Sequence, residues 1–213
     1  MGKPVKRRYD NTRRQAQVRA TRAEVVAAGR QLFVERGYPA TTVEAIAEAS
    51  ATPPATVYRL FGSKRGILSA VLDVAFVGDD EPVPFGERPA VRAALGERDP
   101  ARLLDLFAHL ARELLDRSAP VQHVLRTAAV VDPEAAAQLE TTNRQRLEGQ
   151  SRIAGVLADR GALAEDVDQR RAADLIYLLM SPEVHRILTV ERGWSPEAYE
   201  RWLATSLRAS LLP

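Results

Sequence analysis

In the stretch TVYRLFGSKRGIL, residues 56–68, two adjacent cations follow a glycine and a serine. Gly62 is suited to end one helix and Ser63 to cap the next, so Lys64 and Arg65 fall in that helix's first turn. Exposed cations there oppose the helix macrodipole by roughly 0.3–1 kcal/mol each. A phosphate at the same place reverses the sign, because free N–H groups and a lysine then meet an anion. Phosphate binding is thus the chemistry this spacing favours. Catalysis is not: His109, His123 and His185 lack metal-ligand spacing, no Ser/His/Asp arrangement is suggested, and no glycine-rich phosphate loop occurs. The absence of cysteine excludes disulfides, thiolate zinc sites and cysteine nucleophiles. We therefore assign no catalytic or metal-binding residue and expect no cofactor.

The elements that position those cations read as short helices. Thr21-Arg22-Ala23-Glu24 has capping-box spacing, and Val25, Val26, Gly29, Leu32 and Phe33 form a helical stripe that Gly37 can stop. A helix over Thr21–Arg36 is predicted. A second box at Thr41-Thr42-Val43-Glu44 opens a helix that buries Val43, Ile46 and Ala47 and ends near Ser50. Thr52 can then cap a third, Pro53–Phe61, in which Pro53 and Pro54 occupy the first turn, where a missing N–H breaks no helical bond. This helix buries Val57, Leu60 and Phe61 and leaves Ala55, Thr56, Tyr58 and Arg59 outward, a small, hydroxylic and basic face.

Charge agrees with a polyanion partner for this end of the chain. Residues 1–65 carry thirteen Lys and Arg against five Asp and Glu, while the whole chain of 213 residues has a net charge of only +2. A solvated, charge-rich tail accounts for the same asymmetry equally well. Composition is 46% hydrophobic and 27% charged, with few aromatics, which favours an all-α chain. No apolar run is long enough to cross a membrane and the basic N-terminus lacks a signal-peptide core, so a cytoplasmic protein is expected. The Pro-, Gly- and acid-rich stretch after Phe76 marks a boundary. Three segments follow: a basic arm over 1–18, a helical module over 19–78 and a larger helical domain over 79–213. Helices in the last are expected at Ala101–Arg117, Val121–Val130, Pro133–Arg160, Asp168–Met180, Pro182–Arg192 and Pro196–Leu211. Ser181-Pro182-Glu183 and Ser195-Pro196-Glu197 repeat one start signal.

Residues 21–71 closely resemble the DNA-binding domain of the tetracycline-repressor (TetR) family. The likeness rests on Leu32-Phe33, Gly37-Tyr38, Thr41-Thr42-Val43 with Ile46-Ala47, Thr56-Val57-Tyr58, Phe61 and Lys64, all in register. It implies a three-helix helix-turn-helix domain followed by a C-terminal helical bundle for dimerisation and ligand binding. It also implies a dimeric repressor, relieved by a small molecule, acting on a double-stranded, palindromic DNA operator. On that resemblance, Thr41 and Thr42 anchor phosphate, and Pro53–Phe61 is the recognition helix. Tyr58 and Lys64 contact phosphate, while Thr52, Pro54, Ala55, Thr56 and Arg59 face bases or nearby phosphates, Ala55 and the Thr56 methyl suiting thymine and Arg59 guanine. The chain departs from the family pattern at Ser50, where a glycine would take φ > 0 more easily, and at Leu60.

The C-terminal domain is less explicit. Leu139, Asn143, Leu147, Gln150, Ile153 and Leu157 form one stripe, which sets two neutral amides on an apolar face. Buried amides need partners, so Asn143, Leu147 and Gln150, with Phe107, His123, Arg126 and Tyr177, are candidates to line a pocket for an apolar small molecule. Amide bonds to neighbouring helices explain the stripe as well. The late helices hold more apolar surface than one face needs, and the family resemblance makes Leu178, Ile187, Trp202, Leu203 and Leu207 a homodimer interface. A DNA-binding regulator without an effector, and an enzyme with an accessory DNA-binding domain, remain as alternatives.

Overall fold

The computed structural model describes residues 6–77 and 85–213, and among them every regular element is helical. The helices are α1 (Lys6–Ala40), α2 (Val43–Ala49), α3 (Pro54–Phe61), α4 (Lys64–Val77), α5 (Pro89–Gly96), α6 (Pro100–Ala128), α7 (Pro133–Asp159), α8 (Gln169–Leu179), α9 (Pro182–Arg186) and α10 (Pro196–Leu211). The chain divides into two compact units at Asp73 and Val74.

In the first unit, α1 runs back to Lys6 and does not start at the Thr21 capping box. Arg, Gln and Ala propagate a helix well even without an apolar stripe, so the arm expected over 1–18 is helical from Lys6 on, and residues 1–5 lie outside the described residues. Gly37, at φ +77°, breaks the helix, and one further turn carries Tyr38 back to stack on Phe33 at 5.9 Å. Thr42, not Thr41, caps α2, accepting a bond from the Ala45 N–H at 3.1 Å. Between α2 and α3 the left-handed residue is Ala51 (φ +48°), and Ser50 is ordinary at φ −92°. The strain expected at Ser50 thus falls one residue later. Thr52 does not cap α3; its hydroxyl donates to the Ser50 carbonyl at 3.2 Å, and Pro53 occupies the cap position without a side-chain bond. Phe33, Ile46, Val57, Ile67 and Leu68 form the buried centre.

In the second unit α6 is one helix through Pro120, where two were expected on either side. The proline removes a single backbone bond, and buried Leu115, Ala119, Val121 and Val124 on both sides hold the helix continuous. The expected helix Pro182–Arg192 is α9 followed by a π-helical turn over Ile187–Glu191. Ser181 and Ser195 cap as predicted, accepting from the N–H groups of Val184 and Ala198. The Pro- and Gly-rich stretch contains α5, and its residues 78–84 lie outside those described. Leu103, Leu104, Phe107, Leu157, Ile176, Tyr199, Leu203 and Leu207 belong to one core that draws on α6, α7, α8 and α10.

Candidate functional site

Helix α3 owes its presentation to its two ends. Pro54 fixes φ at its first turn, and Gly62 (φ +74°) closes the last one by donating to the Tyr58 carbonyl at 2.8 Å. Val57 seats the helix in the core, while Arg22 donates to the Leu60 carbonyl at 3.1 Å and lies 4.5 Å from the Phe61 ring centre. The opposite face is open: Pro54, Ala55, Tyr58 and Arg59 are exposed and Thr56 is half-buried. Arg59 makes no hydrogen bond or ion pair among the described residues, so its guanidinium is available to an acceptor outside the chain. Thr42, the cap of α2, is exposed as well.

Three of the residues expected at DNA are otherwise engaged. Thr41 is fully buried, and its hydroxyl donates to the Gly37 carbonyl at 2.8 Å, with the Leu32 carbonyl at 3.1 Å. It closes the kink after Gly37 and cannot also reach a phosphate. Thr52 is buried in the inter-helix turn. Lys64 is half-buried, donates to the Tyr38 carbonyl at 2.8 Å and lies 4.3 Å from the Tyr38 ring centre. That bond, more than a phosphate, resolves the misplaced-cation conflict at the start of α4. Tyr58 keeps its exposed position, but its hydroxyl donates to Glu44 at 3.1 Å. That bond to the carboxylate, with slight desolvation and the Glu44 charge, raises the phenol above its ordinary pKa and keeps it a proton donor.

The second unit contains a partly open cavity of about 260 Å³, lined by α5, α6 and α7 together with Gly86 and Met180. Of the expected pocket residues, Phe107 and Gln150 line it; Asn143, Leu147, His123, Arg126 and Tyr177 do not. His123 is exposed, Arg126 pairs with Glu183, Leu147 faces outward at 40% exposure and Asn143 is half-buried. The inward row of α7 is Arg146, Gln150, Ile153 and Leu157 rather than the row through Asn143 and Leu147. Sequence reasoning missed Arg146 because an arginine counts as solvent-facing, although its long apolar stem suits such a wall. The i, i+4 spacing from Arg146 to Gln150 was the available signal. Tyr177 stands behind Arg146, its ring centre 3.7 Å from the guanidinium carbon.

A polar cluster elsewhere in this unit joins α6, α9 and α10. His185, buried, donates through Nε2 to Asp116 at 2.8 Å, and Arg112 donates to both Asp116 and Glu200. The His185 ring meets the Tyr199 ring edge-on at 4.8 Å. Burial, with the Asp116 charge adding to it, pushes the Tyr199 phenol well above its ordinary pKa, and its hydroxyl has no hydrogen-bond partner among the described residues. At the expected dimer face, Leu178 and Ile187 are exposed by 59% and 43%, joined by Val190 at 70%. Trp202 is half-buried against Tyr199 and Trp194. Leu203 and Leu207 are fully buried in their own chain's core, so they are not interface residues. Successive turns of an amphipathic helix offer a core face and a partner face that look alike in sequence.

The family model described as "Bacterial regulatory proteins, tetR family" matches residues 25–71. The HTH-type transcriptional regulator TcmR of Streptomyces glaucescens is 41% identical over 93 residues, a match covering 39% of this chain and 41% of TcmR. Among solved structures, NalD, the secondary repressor of the MexAB-OprM multidrug efflux pump in Pseudomonas aeruginosa, superposes with TM-score 0.67 at 18% identity, covering 92% of this chain and 98% of NalD. SmeT in its complex with triclosan gives TM-score 0.70 at 18% identity over 91% of this chain and 92% of SmeT. At such identity the last two are likenesses of fold, and they extend over both units.

Proposed function

The chain belongs to the tetR family of bacterial regulatory proteins, and from that premise we propose that it is a repressor that binds a palindromic operator as a homodimer and leaves it when a small molecule enters the cavity. The observation that carries the DNA-binding half is the open face of α3. Ala55, Tyr58 and Arg59 stand outward, with Thr56 half-buried, on a helix whose ends and core contacts are fixed, and Arg59 has no partner among the described residues. Such a helix fits the major groove, where an arginine meets guanine O6 and N7 and small side chains meet thymine methyls. Thr42, exposed at the cap of α2, and Tyr58 are the phosphate contacts, Tyr58 by exchanging Glu44 for a phosphate oxygen. The wall of phosphates supplies most of the affinity and its salt dependence; α3 supplies the choice of sequence.

The apolar surface left open at Leu178, Ile187 and Val190 supports a homodimer. The Gln150 side-chain amide oxygen, buried at the cavity without a hydrogen-bond partner among the described residues, supports an effector site. An occupant that fits one spacing of the two recognition helices better than the other shifts the population between them, by no more than its difference in affinity for the two states. Selection of duplexes from a random-sequence library tests the reading. Enrichment of an inverted repeat bound by two chains is expected. Failure to enrich any sequence, or a single unrepeated site bound by one chain, would contradict it.

A further inference from the structure

The wall of the cavity carries a charge with no ion-pair partner among the described residues. Arg146 lines the cavity, and its Nε and Nη1 atoms are shut off from solvent with no hydrogen-bond partner among the described residues. The guanidinium carbon lies 3.7 Å from the centre of the Tyr177 ring, which backs the group and fixes where it sits. One turn on, Gln150 is 94% buried and its side-chain amide oxygen is also without a partner among the described residues. A lysine so placed could shed its proton, but an arginine keeps its charge at any accessible pH, so the cost of burying unmet donors stays with the fold. The other charged residues of the lining, Glu148 and Arg152, are exposed and opposite in sign. Around Arg146 the walls are apolar, built by Phe107 and Ile153 among others.

Resting on the reading of this cavity as the effector site, we propose that its ligand is a compact ring-bearing carboxylate whose charge is held by Arg146. A planar carboxylate matches the flat guanidinium and accepts its N–H groups. The ring fills the apolar remainder. At about 260 Å³ the cavity is near the lower end of small-molecule sites, a size that suits one or two fused rings.

Two probes of almost equal shape decide it: 2-naphthoate, ionised at neutral pH, and 2-naphthamide, which is uncharged. Calorimetric titration of the full chain should show the acid binding at least about tenfold more tightly than the amide. Arg146→Met, and Arg146→Gln as a second variant in case the first folds poorly, should abolish that preference. Equal affinity of the two probes for the natural chain overturns the assignment without recourse to a variant. So does a preference that survives loss of Arg146, or failure of both probes to bind at roughly millimolar concentration. Anisotropy of a labelled, selected duplex separates this inference from the reading beneath it. Naphthoate that binds by way of Arg146 yet leaves DNA affinity unchanged refutes the effector role and supports the ligand class. Naphthamide that binds more tightly and releases DNA refutes the ligand class and leaves the effector role standing.

Discussion

Replacing Leu178 with Asp should dissociate the dimer while leaving each chain folded, whereas replacing Leu203 with Ala should weaken the fold of each chain. Leu178 is 59% exposed in the single chain. Covering that remainder removes about 100 Å² from water, worth about 2.5 kcal/mol per chain at ~25 cal/mol/Å² and about 5 kcal/mol in a two-fold dimer. Losing it raises the dimer dissociation constant by three orders of magnitude or more, since each ~1.4 kcal/mol is a factor of ten, and a carboxylate placed there adds its own desolvation. Leu203 is fully buried among α6, α8 and α10, so its truncation opens a cavity and costs about 2–5 kcal/mol of chain stability. Sedimentation velocity at micromolar concentration should show a mass twice that of the 23.4 kDa chain, and the chain mass for Leu178→Asp with its melting temperature little changed beyond loss of the dimer. Leu203→Ala should melt several degrees lower. A natural protein that sediments as a monomer refutes the reasoning. So does a Leu178→Asp dimer of unchanged affinity beside a Leu203→Ala chain that dissociates without losing stability.

Three further outcomes follow from single contacts. Tyr199→Phe removes a buried hydroxyl with no partner among the described residues and should leave stability unchanged or raise it by up to about 1 kcal/mol, and a loss greater than that in thermal denaturation would contradict the contact assignment. Lys64→Ala removes both a charged bond to the Tyr38 carbonyl and a contact with its ring, and should cost the first unit about 1–2 kcal/mol in chemical denaturation; a fully stable variant with a flatter salt dependence of DNA binding would restore Lys64 to the phosphates. Glu44→Gln should bring the Tyr58 phenol back down toward its ordinary pKa, because the carboxylate that holds its proton is gone, and should strengthen DNA binding by removing an anion near phosphate. An unchanged phenolate absorbance titration would count against that pair.

Much of the framework was legible because local signals with one physical meaning mark it. Proline at a first helical position, serine at Ser181 and Ser195, and glycine at Gly37 and Gly62 each act through their own backbone geometry, and the structure places them as expected. The misread positions are those where two partners compete for one group. Thr41 offers the same hydroxyl to a phosphate or to the Gly37 carbonyl, and only the fold brings that carbonyl near. Lys64 likewise finds Tyr38, distant in sequence. In the cavity the difference is one of helix phase: Leu147 continues an apolar stripe and Arg146 does not, and an arginine on an inward row is the exception that periodicity discards. Leu203 and Leu207 are apolar at spacings that serve a core or a partner equally, and what decides between those is which neighbours already cover them.

The central claim, that the outward face of α3 reads duplex DNA, is tested most directly by the ratio of affinities for a selected duplex and a scrambled one, measured at fixed salt for the natural chain and for Arg59→Ala. If Arg59 reads a guanine, its loss should cut the preference by a factor equivalent to about 1–3 kcal/mol per contact and relax selection at one position of each half-site, with binding to the scrambled duplex weakened far less. A variant whose affinities for both duplexes fall by the same factor, leaving the ratio intact, would place Arg59 on the phosphates and contradict the account of α3.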